Sequence, residues 1–260
     1  MRITIIGSGN VATHLAAAFK NAGHRVVQVY SPNIHNAALL AYHVGADGIG
    51  SLKDINVETD IIVVAIKDDA IKEIIPSLLP YGKLVVHTSG AVGLQALTDH
   101  TANAGVFYPL QTFSKTKELN FGDVPMCIEG ADETITKQLE ELARTISNNV
   151  YRVNSAQRKI LHLSAVFACN FTNHLYAVAE GLLKEHDMPF DMLRPLILET
   201  ADKIKAHSPA TVQTGPAARK DEQTMQAHLN MLEGREDLQQ IYLLLSQDII
   251  KNSNVPHGDK

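Results

Sequence analysis

The 260-residue chain has no tryptophan, only two cysteines and no apolar run near the ~20 residues that span a bilayer. Cys127 and Cys169 lie far apart and outside any CxxC spacing, which excludes a cysteine zinc site and a disulfide framework. Charge of one sign is scarce too. With 23 Lys and Arg against 28 Asp and Glu, the net charge is −5, so no polycation is offered to nucleic acid, although a local pocket for one phosphate is compatible with it. His14, His24 and His43 do not cluster, and no metal is expected. There are no internal repeats, and the polar ending NSNVPHGDK is expected to fray. The opening Met-Arg and its short apolar run lack signal-peptide anatomy, so a reduced, cytoplasmic setting is expected, with no membrane partner. What remains is 45% apolar and 20% charged, the composition of a globular protein with core enough for one large domain or two smaller ones.

The first half alternates short β-branched runs with helical stretches. RITIIG, HRVVQVYS, TDIIVVAI, KLVVHTSG, AGVFYPLQ, VPMCIEG and VYRV read as strands. NVATHLAAAFKNAG, NAALLAYHVG, DAIKEIIPSLL and TITKQLEELARTIS read as helices between them. This rhythm predicts an α/β fold, a doubly wound parallel sheet covered by helices on both faces. Near Asn154 the β-branched runs stop. Ile160, Leu163, Phe167, Phe171, Leu175, Val178 and Leu182 recur in steps of three and four, the stripe of one long helix. MLRPLILETADKIKAH, DEQTMQAHLNMLEG and LQQIYLLLSQDIIKN read as further helices. The expectation is a Rossmann-like domain over 1–153 and an all-α domain over 154–260.

The first strand runs directly into GSGNVA, and a helix follows. In that context Gly7 allows a tight turn and Gly9 lets a diphosphate approach the backbone. The free amides of Ser8, Asn10 and Val11 at the helix start favour its charge. Ala12 in the third glycine place asks only for close helix packing. The alternative is a strand–helix turn that binds nothing. After the second strand, QVYSPN has no acid to hold ribose hydroxyls, while Ser31 and Asn33 can donate to a 2′-phosphate; this favours NADP over NAD. Ordinary turn chemistry explains Ser31–Asn33 equally. Ligands of open parallel sheets lie beyond the strands' carboxyl ends, which adds Ala65, Ile66 and Lys67 on the adenosine side and His87, Thr88, Ser89 and Gly90 on the nicotinamide side. Lys67 reads either as a phosphate contact or as a solvated lysine before a helix.

GSGNVA, AIKDDAI, HTSG, FYPLQTFS, HLSAVFACNFTNHLYA and TGPAARKDEQT together resemble a family of NADP oxidoreductases. That family has a Rossmann-like N-terminal domain and a helical C-terminal domain of unassigned function. Its wider superfamily includes pyrroline-5-carboxylate reductase, ketopantoate reductase, the β-hydroxyacid dehydrogenases and the deazaflavin-dependent NADP reductases. The resemblance implies an NADP cofactor, a small-molecule substrate between the domains and a homodimer through the helical domain. One departure stands out. The hydroxyacid dehydrogenases and ketopantoate reductase carry a lysine one helical turn before an asparagine on the long helix. Before Asn170 and Asn173 this chain has Val166 and Cys169, and Lys159 is three turns away from that place. The usual proton donor is missing, which leaves imine reduction or another donor.

His162 is such a donor by residue type, since an imidazole exchanges protons near neutral pH. Asn170, Asn173 and His174 are helical neighbours, readable as a substrate surface or as a satisfied structural network. Tyr108 is a second possible donor at the substrate, and Pro109 and Gln111 read as a fixed bend. Arg219 can grip a substrate acid or pair with Asp221. Two functions stand: an NADP-dependent oxidoreductase acting on a small C=N or C=O compound, with Asn170, His162 and Asn173 as catalytic candidates, and a non-catalytic NADP sensor or dimeric interaction protein.

Overall fold

The computed structural model describes residues 1–252; the polar tail beyond Asn252 lies outside them. The strands are β1 (Arg2–Ile6), β2 (Arg25–Tyr30), β3 (Asp47–Ile49), β4 (Ile61–Val64), β5 (Leu84–His87), β6 (Ala104–Pro109), β7 (Met126–Gly130) and β8 (Val150–Arg152). They form one eight-stranded sheet in the order β3-β2-β1-β4-β5-β6-β7-β8. The chain winds outward from β1 to β3, then crosses to β4 on the other side of β1, so β1 and β4 flank a topological switch point, where open α/β sheets bind ligands.

Side-chain alternation explains why the strands are apolar throughout. Ile3, Ile5, Ile61, Val63 and Val86 face one buried cluster, and Ile6, Ile62, Val64 and Val85 face the other. Both faces are covered by helices: α1 (Asn10–Asn21), α2 (Ile34–Val44), α3 (Asp68–Leu78), α4 (Gln95–Thr98) and α5 (Glu133–Arg144). Each fully buried Ile or Val contributes ~1.5–3 kcal/mol. In α1, Ala12, Leu15, Ala16 and Phe19 form the buried stripe. The Asn33 side chain caps α2 by accepting from the His35 amide, and Gly45 ends the helix in the left-handed region, as helix ends favour.

One pairing corrects the expected all-parallel sheet: β6 and β7 run antiparallel, Pro109 opposite Met126. No crossover helix lies between them. The connection returns to the end it left, and only antiparallel pairing permits that. β3 and α4, at three and four residues, were too short to read as periodic segments.

The expected long helix is α6 (Ser155–Ala165), a π turn (Val166–Phe171) and α7 (Thr172–Lys184). A capping box starts it, the Asn154 and Gln157 side chains reciprocating. The π turn interrupts the three-and-four spacing assumed from sequence. It follows an i→i+5 pattern, and the Thr172 hydroxyl donates to the Phe167 carbonyl five residues back. The apolar stripe is not a core face: Ile160, Leu163, Phe167 and Phe171 are 65%, 52%, 64% and 50% exposed.

Two compact units divide the chain, Met1–Leu175 and the residues from Tyr176 onward. α6 and the π turn belong with the sheet, because α6 is bonded into it as described below. The second unit contains α8 (Arg194–Lys203), α9 (Glu222–Met231) and α10 (Glu236–Asn252). Arg235 pairs with Glu185, and His228 Nδ1 lies 2.9 Å from the Tyr242 hydroxyl. Among the described residues, no helix is long and apolar enough to cross a membrane.

Candidate active site

The turn from β1 into α1 is fixed by sterics. The Gly7 amide donates to Tyr30 O (2.8 Å) and the Ala65 amide to Ile6 O (2.8 Å), drawing the ends of β1, β2 and β4 together. Gly7 has φ +119, and a Cβ there would strike the Ala65 carbonyl. No other residue type fits. Gly9 has a different reason: a Cβ there meets no protein atom within 4 Å. It would instead enter a cleft of ≈ 950 Å³ lined by Gly7–Val11. α1 begins with no side-chain cap and no acid in its first turn. Uncapped amides, a positive helix end and space at Gly9 fit a diphosphate.

The same cleft is lined by Ser31 with Tyr30 and Pro32, by Ala65–Lys67, and by Thr88–Gly90. The cofactor candidates from four separate chain segments thus share one cleft. Asn33 does not line it; its side chain is committed to capping α2. His87 does not line it either. It is fully buried beneath the loop, and its Nδ1 accepts from the Ser89 amide (3.2 Å). Burial, then the charge of Arg158, pushes its ring down to about 4, so it is neutral at pH 7. Glu73, Ile74 and Ser77 of α3 also line the cleft. They share one face of the helix that leaves β4, and that spacing was the signal by which the sequence could have shown them.

The cleft is also lined by Tyr108, Pro109, Gln111 and His162. The Tyr108 hydroxyl and His162 Nδ1 are 3.3 Å apart. Gly90 is required here by close approach: a Cβ would lie 2.7 Å from His162 Nδ1 and 2.9 Å from Tyr108 Cζ. Burial above all pushes the Tyr108 phenol up to about 12, so it keeps its proton at any ordinary pH. Asn170, on the π turn, joins Tyr108 and His162 in lining a second cleft of ≈ 670 Å³. Asn173 is exposed on α7 and lines neither cleft. Arg219 lies in the second unit, exposed. Asp221, offered as its partner, caps α9 by accepting from the Thr224 amide and hydroxyl.

Two features had no sequence signal. The first is a buried network behind the Ser89–Leu94 loop. Arg158 of α6 is fully buried and pairs with Glu129 of β7; it also donates to Val92 O (2.7 Å). Glu129 accepts from the Ser155 amide and hydroxyl, and the Ser155 hydroxyl accepts from the Leu94 amide (2.9 Å). The helix bearing His162 is thereby tied to the loop bearing Ser89 and Gly90. The second is a clasp on the glycine loop. Lys115 Nζ donates to Ser8 O (2.7 Å) and Asn10 Nδ2 to Phe113 O (2.9 Å), while His14 Nε2 lies 2.9 Å from Ser114 O.

A doubly wound sheet with a glycine turn at its switch point, an uncapped helix start and a helical second unit defines a dinucleotide-binding protein of Rossmann type. Comparison with known proteins narrows this. Residues 2–90 match the family described as NADP oxidoreductase, coenzyme F420-dependent, and residues 124–249 match a domain of unknown function. A candidate NADP oxidoreductase of Bacteroides fragilis is 44% identical, with 96% of this chain and 98% of that one covered at a TM-score of 0.91. The chain belongs to this family of NADP oxidoreductases. A Thermotoga maritima protein (21% identity, 96% and 98% covered, TM-score 0.74) shares the fold. So does an imine reductase of Myxococcus stipitatus solved with NADP+ (14% identity, 99% and 96% covered, TM-score 0.71). No curated protein matches the sequence.

Proposed function

We propose that the chain transfers hydride between NADP(H) and a small C=N or C=O compound placed against Tyr108 and His162. The observation that carries this is the 3.3 Å contact of those two side chains at the closed end of the glycine-turn cleft. The nicotinamide coenzyme supplies the hydride when bound. The amides of Ser8–Val11 receive its diphosphate, and Ser31 and Lys67, which line the same cleft, serve its adenosine side in this reading. Tyr108 gives its hydroxyl proton to the substrate nitrogen or oxygen and takes one from the His162 imidazole. This two-step path replaces the lysine that related enzymes carry. Asn170, on the wall shared with His162, orients the substrate by hydrogen bonding.

The exposed stripe of Ile160, Leu163, Phe167 and Phe171 supports a homodimer. A continuous apolar helix face of this kind marks an interaction surface, and a second copy presenting the same stripe covers it by an isologous contact. Free thiols at Cys127 and Cys169 accord with a cytoplasmic setting.

Thermal shift with NADPH and NADH, followed by coenzyme oxidation across imines, ketones, keto acids and a deazaflavin, tests the reading. Stabilisation by NADPH and turnover of an imine or ketone are expected. Protein that is folded yet indifferent to millimolar NADPH and NADP+ ends it.

A further inference from the structure

The second cleft adjoins the first through Tyr108, Gln111 and His162, which line both. Its walls differ in chemistry from those of the coenzyme cleft. Leu110 and Phe113 come from the chain leaving β6, Leu161 and Ala165 from α6, and Ala168 from the π turn. Thr112, Ser164 and Asn170 add neutral hydrogen-bonding groups. Among the described residues that line it, none is Lys, Arg, Asp or Glu.

We propose that this cleft holds the body of the substrate, and that the substrate is an uncharged compound with an apolar ring or chain rather than an imino acid or a keto acid. The proposal rests on the hydride-transfer reading above and names the substrate class of that site. Its C=N or C=O end meets Tyr108 and His162, and its apolar part lies against Leu110, Phe113, Leu161, Ala165 and Ala168.

Three physical points carry it. A carboxylate drawn from water onto these walls loses hydration and meets no lysine or arginine among them, a costly exchange. The buried charged pair that ties α6 to β7 is closed on itself. Arg158 is fully buried, paired with Glu129 and bonded to Val92 O, so its guanidinium cannot turn to a substrate acid. Small side chains make the space. Ser164, Ala165 and Ala168 stand where larger residues would fill the cleft, and its ≈ 670 Å³ is in the range of small-molecule sites. The π turn contributes Ala168 and Asn170 to the wall, in keeping with the frequent placement of such turns at functional sites.

The reaction balances without a further reactant. In the reductive direction the coenzyme's hydride forms the new C–H bond and the coenzyme is oxidised. The π pair of C=N or C=O takes the Tyr108 proton, and the phenol is reprotonated through His162.

Matched probes test the class with the full-length protein saturated in NADPH. 2-Methyl-1-pyrroline is compared with 1-pyrroline-2-carboxylate, and acetophenone with phenylglyoxylate. The neutral member of at least one pair is expected to be turned over with kcat/KM about tenfold or more above its acid, a difference of ~1.4 kcal/mol. Ala168→Arg should move that preference toward the acid by a similar factor. Ser164→Leu should slow the bulkier neutral probe more than the smaller one without changing NADPH affinity, and it serves if Ala168→Arg does not fold. Equal or better turnover of both acids, or turnover of no probe by protein that binds NADPH, overturns the proposal while leaving the coenzyme reading in place. Failure to bind NADPH overturns the functional reading itself.

Discussion

Arg158 and Glu129 form an ion pair in which the guanidinium is wholly buried and the carboxylate partly exposed. The pair joins α6 to β7 and, through Val92 O and Ser155, to the loop that follows β5 and lines the cleft. Removing Arg158 leaves the Glu129 carboxylate without its cation and with only the Ser155 amide and hydroxyl as partners. Arg158→Met should therefore cost ~3–5 kcal/mol in urea unfolding. The double variant Arg158→Met, Glu129→Leu should cost less than the two single losses summed, by about 1 kcal/mol or more. Strict additivity would show that the two side chains act independently.

The two glycines of the turn separate folding from binding. Gly7→Ala meets the Ala65 carbonyl at positive φ and should destabilise the fold by more than ~1 kcal/mol. Gly9→Val enters empty space, so its melting temperature without ligand should stay near that of the parent while its NADPH-induced stabilisation disappears. Retained stabilisation in Gly9→Val would remove the diphosphate from this turn.

Tyr108→Phe and His162→Phe both cut the proton path. Each is expected to lower kcat by roughly 10²–10⁴-fold, the usual reach of general acid catalysis, with NADPH affinity little changed. Because the phenol is pushed up to about 12, Tyr108 itself adds no pH dependence near neutrality. A variant with full turnover would remove its residue from the path.

His87 predicts a pH effect on stability. Its ring titrates at about 4 when folded and near 6.5 when unfolded, so between those values the unfolded chain binds a proton that the folded chain refuses. Stability is unaffected above pH 6.5 and falls as pH drops toward 4, by on the order of 3 kcal/mol in full. His87→Asn should flatten that part of the stability–pH curve relative to the parent; an unchanged slope would assign it to other groups.

Phe167→Glu places a charge in the exposed apolar stripe. If a second copy covers that stripe, sedimentation should show dimer for the parent and monomer for the variant, with little change in secondary structure. A monomeric parent would leave the stripe without this role.

Much of the sheet could be read from the sequence, because period and length carry it. IIVVAI, from Ile61 to Ile66, is apolar at every position, and β4 is buried on both faces. Gly45 marked the end of α2 because the left-handed turn there needs no Cβ. Strand direction was not legible for β7: it depends on where the connection from β6 leads, and that connection bends back over α1. Its fastening uses the carbonyls of Ser8, Phe113 and Ser114, groups that every residue has, so no motif announces it. The loops after β1, β4 and β5 could be assigned to one cleft because ligand sites follow strand ends. His87 could not be told from the cleft-lining Thr88 and Ser89 that follow it, since its burial beneath them depends on Arg158 and the 89–94 loop closing over it. The apolar stripe beginning at Ile160 reads as a core face from spacing alone. Periodicity reports that a face is apolar, not what covers it.

The π turn at Val166–Phe171 has a consequence for how this helix tolerates change. Winding the segment as regular α-helix with no change in length would swing every later position, Asn173 and Leu175 among them, about 100° round the axis relative to the residues before it, whereas deleting one residue as the turn regularises would leave them facing as they do now. The extra residue held in this six-residue segment thus sets which side chains share a face with His162, and a loss of the wide turn at constant length would rewrite that face without any loss of helix content.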